Sequence, residues 1–178
     1  MQWKYRVIRS PRKTIAIQIL PDGEVVVRAP RFMAATQIQS FVDGKSGWIE
    51  RQLAAMPVVE KLTDVQIREL ARQAKLVIPQ RVSYYANIVG VKYGRITIRA
   101  QHTRWGSCSG KGNLNFNCLL MLVPPRVLDY VVVHELCHRK EMNHSSKFWA
   151  EVERILPDYK ENRKWLKDNG RVLIGRLG

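Results

Sequence analysis

The amino-acid sequence predicts an α+β fold, on three observations. The first third of the chain alternates apolar and polar residues in short runs, the period of a half-buried strand. Most of the remainder carries apolar residues three and four apart, the period of a helix facing a core. A short stretch around residues 96–117 returns to strand and turn signals between two helical runs. With 178 residues and 46% hydrophobic content, the chain can bury a core, which excludes a disordered tail protein.

The elements follow in order. Residues 3–8 supply a candidate first strand. Ile15, Ile17 and Ile19 alternate within residues 13–20, then Pro21, Asp22 and Gly23 give a turn into the valine-rich residues 24–28. That is a hairpin signal. From Thr36 the spacing turns helical through Ile38, Phe41, Val42, Trp48, Ile49 and Leu53, with Gly44 and Gly47 weakening the helix locally. A second helical run starts at Asp64 as a candidate N-cap and carries Val65, Leu70, Ala74, Leu76 and Val77. Pro79 is expected to kink or interrupt it before residues 82–89. Gly90 and Gly94 bracket a link into a strand at Ile96, Thr97 and Ile98. Residues 104–107, the turn Gly110-Lys111-Gly112 and residues 113–117 suggest a hairpin beside it. Pro124 and Pro125 open a strong helix to about Arg139, because proline is tolerated in a first turn. Two more helices, near 145–156 and 158–169, are separated by Pro157 and closed by Gly170.

Charge is the unusual bulk property. Lys and Arg number 30 against 15 Asp and Glu, a net charge of +15. The excess is spread along the chain, at +4 over residues 1–60, +6 over 61–101 and +5 over 102–178. No flexible basic arm is indicated. The balance suits an anionic partner, such as a nucleotide or a DNA-associated protein, and equally a solvated basic surface. No apolar run has the length of a signal peptide or a membrane span. Cys108, Cys118 and Cys137 form no CxxC pair, so a reduced cytoplasmic protein without a membrane partner is expected.

The chemistry concentrates in His134-Glu135-Leu136-Cys137-His138, an HExxH motif inside the Pro125 helix. Histidines four apart share a helix face, so both imidazoles can reach one ion. Glu135 beside them can take a proton from water that the ion acidifies. His144 follows His138 by six residues, just before the next helix signal at Ser145 and Ser146. A chain reversal there brings a third imidazole to the ion and leaves a fourth position for water, the open catalytic pattern. Asn143 is a candidate for a positive φ at that reversal. His102, the remaining histidine, reads as a surface residue, and Arg104 and Trp105 as residues flanking a cleft or packing. Asn113, Asn115 and Asn117 alternate with Leu114 and Phe116, either as a half-buried strand or as an edge that aligns an extended substrate. Phe148, Trp149, Val152 and Leu156 recur at helical spacing as core contacts that hold His144. Tyr130 and Tyr159 are candidates for a hydrogen bond near the metal.

Arg104-Trp105-Gly106-Ser107-Cys108-Ser109, Gly112-Asn113-Leu114-Asn115-Phe116-Asn117, the HExxH helix and Asn143-His144-Ser145 with Phe148-Trp149 together resemble the YgjP-like metallopeptidase-domain family. Arg12-Lys13-Thr14-Ile15 and Val25-Val26-Val27-Arg28-Ala29-Pro30 extend the likeness over nearly the whole chain. That family is similar to zincin peptidases and to the SprT-like group. The resemblance implies a zincin-like core, with a small antiparallel sheet, the HExxH helix and C-terminal helices, preceded by an N-terminal β-hairpin region. The expected division of the chain is an N-terminal β-rich region plus helix over 1–60 and a zincin-like metal-dependent hydrolase domain over 61–178. His134, His138 and His144 are implied as ligands to one Zn²⁺, or another divalent metal, with Glu135 as catalytic base. Glu141 stands where metzincins place glycine, which separates this chain from that group. The expected function is a zinc-dependent hydrolase of the metallopeptidase type, acting on a peptide or protein. The alternatives are a nucleoside-triphosphate (UTP) pyrophosphatase at the same site, or a nucleic-acid-associated binding module with structural metal.

Overall fold

The valine and isoleucine runs of the first third close into a three-stranded sheet, seen in a computed structural model that describes residues 4–20, 22–56 and 60–178. Its strands are β1 (Tyr5–Ser10), β2 (Ala16–Ile19) and β3 (Val25–Pro30), in the order β1-β3-β2. The β2–β3 hairpin is the one expected. Gly23, at φ 87°, makes the left-handed step that its turn requires. Trp3 of the expected first strand and Pro21 of the turn lie outside the described residues. β1 crosses over to pair in parallel with β3, Tyr5 opposite Val25, a long-range pairing that alternation cannot disclose. α1 (Ala35–Asp43) and α2 (Ser46–Ala54) follow, divided at Gly44. They bury Ile38, Val42 and Ile49 with the sheet's Ile19, Val25, Val27 and Ala29. These elements belong to a compact unit, Met1–Glu60, and the rest of the chain forms a second, Lys61–Gly178.

The second unit begins with α3 (Asp64–Val89). Thr63, rather than Asp64, is its N-cap. The Thr63 hydroxyl accepts the Gln66 N–H at 3.3 Å and the Gln66 side chain accepts the Thr63 N–H at 2.9 Å, a reciprocal box. Pro79 does not interrupt this helix. It removes one hydrogen bond, but Ala74, Ile78, Val82, Tyr85, Ala86 and Val89 remain buried and keep both halves within one helix. Gly90, at φ 76°, ends it.

A second sheet follows, built from β4 (Ile96–Arg99), β5 (Gly106–Cys108) and β6 (Leu114–Asn117) in the order β4-β6-β5. It is mixed rather than wholly antiparallel, since β4 pairs with β6 in parallel and only β5 with β6 is antiparallel. β6 is therefore the central strand, so Asn113 to Asn117 do not form an edge. Leu114 and Phe116 are fully buried, and the Asn117 side chain donates to Gln101 O (2.7 Å) and Arg104 O (3.1 Å). The Asn117 amide thus pins the loop that leads into β5.

A 3₁₀ turn (Cys118–Leu122) leads to α4 (Pro125–Cys137), α5 (Ser146–Ile155) and α6 (Tyr159–Gly175). α4 packs against α3, α5, α6 and β5, so its apolar residues are buried almost all the way round. α6 runs through Gly170 instead of stopping there. A Cβ at Gly170 would lie 3.1 Å from the Trp105 indole nitrogen, so this glycine permits close packing rather than ending the helix. Among the described residues no helix is long and apolar enough to cross a membrane, and Cys108, Cys118 and Cys137 are all free thiols.

One polar tie fixes α4 against α3. Arg81 Nε and Nη2 donate to the two carboxylate oxygens of Asp129 at 2.7 and 2.6 Å, while the guanidinium lies over Tyr84 and Tyr85. Such bidentate pairs combine strength with fixed geometry. Arg81→Met leaves a mostly buried carboxylate without its partner and is expected to cost about 1–3 kcal/mol, measured by urea unfolding.

Candidate metal centre

His134 and His138 are placed by α4, whose buried apolar residues leave them one orientation. His144 is placed by the start of α5. Ser145 caps that helix, its hydroxyl accepting the Phe148 N–H at 3.3 Å, and the Asn143 side chain accepts the Ser145 N–H at 3.2 Å. Asn143 acts through that side-chain acceptor. Positive φ occurs only at glycines among the described residues, so the expected left-handed reversal is not used.

The three imidazoles converge. Their candidate ligand atoms lie within 4.8 Å of one another, and His134 Nε2 stands 3.0 Å from His144 Nε2. Two nitrogens bound to one tetrahedral ion at about 2.0–2.1 Å would be about 3.3 Å apart, so the pair is already near the spacing a shared ion requires. His138 Nδ1 lies 3.1 Å from Glu141 O. A carbonyl can only accept, so Nδ1 carries the proton and Nε2 keeps a free lone pair, the tautomer a metal ligand needs. Burial, reinforced by His138, His144 and Arg163, drives His134 down to about 3. It is neutral at physiological pH, as ligation demands. Burial also lowers His138. The donor set, with His134 and His138 both lowered by burial, fits a divalent ion.

Aromatic packing fixes the cluster. The Phe148 ring lies 4.6–4.9 Å from all three imidazoles. Trp149 stacks on His144 at 5.6 Å and on Tyr159 at 5.4 Å, and the Arg163 guanidinium sits 4.5 Å from the Trp149 ring centre. Phe148 and Trp149, expected as contacts that hold His144, do so. Arg163 gave no signal in the sequence, because only the packing of α6 brings it here. Tyr130 lies one helical turn before His134, ring centres 5.9 Å apart, and burial pushes its phenol up to about 12, so it keeps its proton. His102 is exposed, apart from the cluster, and Cys137 is buried.

Glu135 is buried, and burial pushes its carboxyl up to about 8, with Arg104 opposing. Its Oε2 has no hydrogen-bond partner among the described residues. The residue the sequence concealed is Gly106 of β5. A Cβ there would fall 2.6 Å from Glu135 Oε1 and 2.7 Å from its Cγ. Glycine alone lets the edge strand's backbone lie directly on the Glu135 side chain.

The loop between His138 and α5 is tied by charge. Glu151 accepts from Lys140 Nζ and from Arg154 Nη2, the latter at 2.7 Å. Arg154 first, then Lys140, hold the Glu151 carboxyl down to about 2 from 4.5. A depressed folded-state value means that the contribution is complete above about pH 4.5 and disappears as pH falls through about 2. Both cations are partly exposed and screened, so Glu151→Gln is expected to cost about 1 kcal/mol near neutrality. Urea unfolding across that pH range should show the difference from the parent closing toward pH 2.

The family described as YgjP-like, metallopeptidase domain, matches residues 13–69 and 59–169. No curated protein matches. Among solved structures, the metallopeptidase zymogen of Pyrococcus abyssi abylysin aligns at 24% identity and a TM-score of 0.48, over 53% of this chain and 97% of that one. With a family match running from residue 13 to residue 169, and His134, Glu135, His138 and His144 all inside it, the chain belongs to the YgjP-like metallopeptidase-domain family.

Proposed function

We propose that the protein is a metal-dependent hydrolase of the peptidase type, with one divalent ion held by His134, His138 and His144 and with Glu135 as the base. Three imidazoles and no thiolate suit zinc among the divalent metals. The observation that carries this reading is the 3.0 Å approach of His134 Nε2 and His144 Nε2, beside a His138 whose Nδ1 is already committed to Glu141 O. When bound, the ion supplies an acidified water and polarises the attacked oxygen.

The chain's own residues do the rest. Glu135 accepts the nucleophile's proton at a carboxylate oxygen and passes it to the leaving amine. Burial alone holds that carboxyl at about 8, and a cation bound beside it favours the carboxylate form that the base role needs. Tyr130, protonated beside His134, has a hydrogen to offer the developing oxyanion. β5 is an edge strand, and its Gly106 backbone rests on Glu135. An extended peptide pairing with that edge is brought alongside the base. This favours a peptide over a nucleotide substrate.

One feature supports the nucleotide reading. Arg104 bears on Glu135 and Arg163 on His134, and neither is paired with a carboxylate among the described residues. Two guanidinium groups without carboxylate partners among the described residues, one of them, Arg163, resting on Trp149, suit phosphates as well as peptide carboxylates.

Metal analysis after equilibration with zinc should find about one ion per chain, lost in His134→Ala. Glu135→Gln should keep the ion and lower turnover by about 10²–10⁴-fold, assayed in parallel on unfolded proteins and nucleoside triphosphates. Unchanged activity would remove Glu135 from the mechanism, and hydrolysis confined to triphosphates would select the pyrophosphatase reading. Gly106→Ala should also keep the ion, yet lower turnover about 10–100-fold by displacing the carboxylate.

A further inference from the structure

The second sheet has two edges. β5 faces Glu135, while β4 borders the opposite side, where no strand covers it among the described residues. The Leu114 N–H donates to Arg95 O at 2.9 Å, and the register places Ile96 opposite Leu114 and Ile98 opposite Phe116. In a parallel ladder alternate residues turn both backbone groups toward the neighbouring strand. Arg95, Thr97 and Arg99 therefore spend theirs on β6, and the N–H and C=O groups of Ile96 and Ile98 point outward.

A groove of ≈ 570 Å³ runs between this edge and α3, lined by Lys75, Pro79, Arg95, Thr97 and Arg99 with the two isoleucines. Pro79 lies inside α3 and has no N–H, so the Lys75 carbonyl four residues back lacks its helical donor. Both walls thus present unspent backbone groups. Lys75, Arg95 and Arg99 are exposed, and none is in an ion pair among the described residues. Residues 61–101 carry eight basic and two acidic groups, and one of those acids, Glu69, is already taken by Arg72. The field in the groove is positive.

We infer that the β4 edge and its groove form a docking site for an extended acidic peptide segment, separate from the histidine cluster. The segment adds as a strand on Ile96 and Ile98, and its carboxylates meet Lys75, Arg95 and Arg99. Arg95 and Arg99, four residues apart on one strand, stand about 13 Å from each other, a span of four residues in the added segment. A nucleic acid fits less well. A phosphate backbone brings acceptors only, leaving the outward carbonyls of Ile96, Ile98 and Lys75 without donors. The groove also has no aromatic side chain on which bases would stack. A protein held here is bound on the same three-stranded sheet that presents β5 to Glu135. Charged residues also serve to keep strand edges from pairing at all, and in that case no acidic peptide binds.

The test is fluorescence anisotropy with the full chain and a labelled peptide of alternating glutamate and valine, repeated in Glu135→Gln so that no probe is consumed. Saturable, salt-sensitive binding is expected. Arg95→Glu combined with Arg99→Glu should weaken it about tenfold or more, with the thermal midpoint and zinc content unchanged. Lys75→Glu, on the opposite wall, should weaken it independently. Of two probes N-methylated at alternate residues in the two registers, one should lose binding, because strand pairing needs those N–H groups. The proposal is overturned by no measurable binding, by equal binding of the lysine counterpart, or by affinity unmoved in the charge reversals. Tighter binding of a short oligothymidylate through the same arginines would also overturn it.

Discussion

Two imidazole nitrogens 3.0 Å apart are an unfavourable arrangement unless something positive, or a proton, lies between them. The second unit is organised around holding them there. His134 has no freedom because α4 is packed on α3, α5, α6 and β5. His144, in the connection between two helices, would be mobile by itself. It is fixed from one side by the Ser145 cap and from another by Trp149, which is braced in turn by Tyr159 and Arg163. Phe148 fills the space beneath all three rings. The backbone carbonyl of Glu141 sets the His138 tautomer. These supports act on the rings, on the backbone that carries them and, at His138, on a ring nitrogen, and together they preorganise a donor set that would otherwise lose entropy on binding an ion.

The same packing creates the electrostatics of the acid. Glu135 is carried into the interior by the helix that carries His134 and His138, and desolvation raises its carboxyl to about 8. Its neighbour across the interface is the backbone of an edge strand rather than a side chain, because Gly106 contributes none. The proposed base and the backbone of an edge strand are thereby in contact. The chain's +15 charge, the most conspicuous property of its composition, has a secondary place. It supplies Arg104 and Arg163 near the centre and basic side chains at the far edge of the sheet, while the proposed chemistry belongs to His134, His138, His144 and the buried Glu135.

Much of this was legible in the sequence, for physical reasons that differ from residue to residue. Helical spacing alone brings His134 and His138 to one face, and the proline-opened helix around them is a local signal. His144 was legible because the cap at Ser145 is also local. Contacts between elements were not. The parallel pairing of β1 with β3 and of β4 with β6 joins segments through long connections, and the asparagines of β6 look the same on a central strand as on an edge. Pro79 and Gly170 misled in the same way: each is a helix breaker by local propensity, and each is overruled by burial along the helix that contains it. Gly106 could not be assigned at all, since its role is defined by a carboxylate 29 positions further along the chain.

The central claim, that three imidazoles and no other side chain hold the ion, is tested most directly by X-ray absorption at the zinc edge of the loaded protein. The expected result is three histidine nitrogens at about 2.0–2.1 Å with an oxygen completing the shell. His144→Ala should remove one of the three nitrogens, and His102→Ala should leave the spectrum unchanged. Fewer than three imidazoles in the parent, or a sulfur at about 2.3 Å from a cysteine, would contradict it.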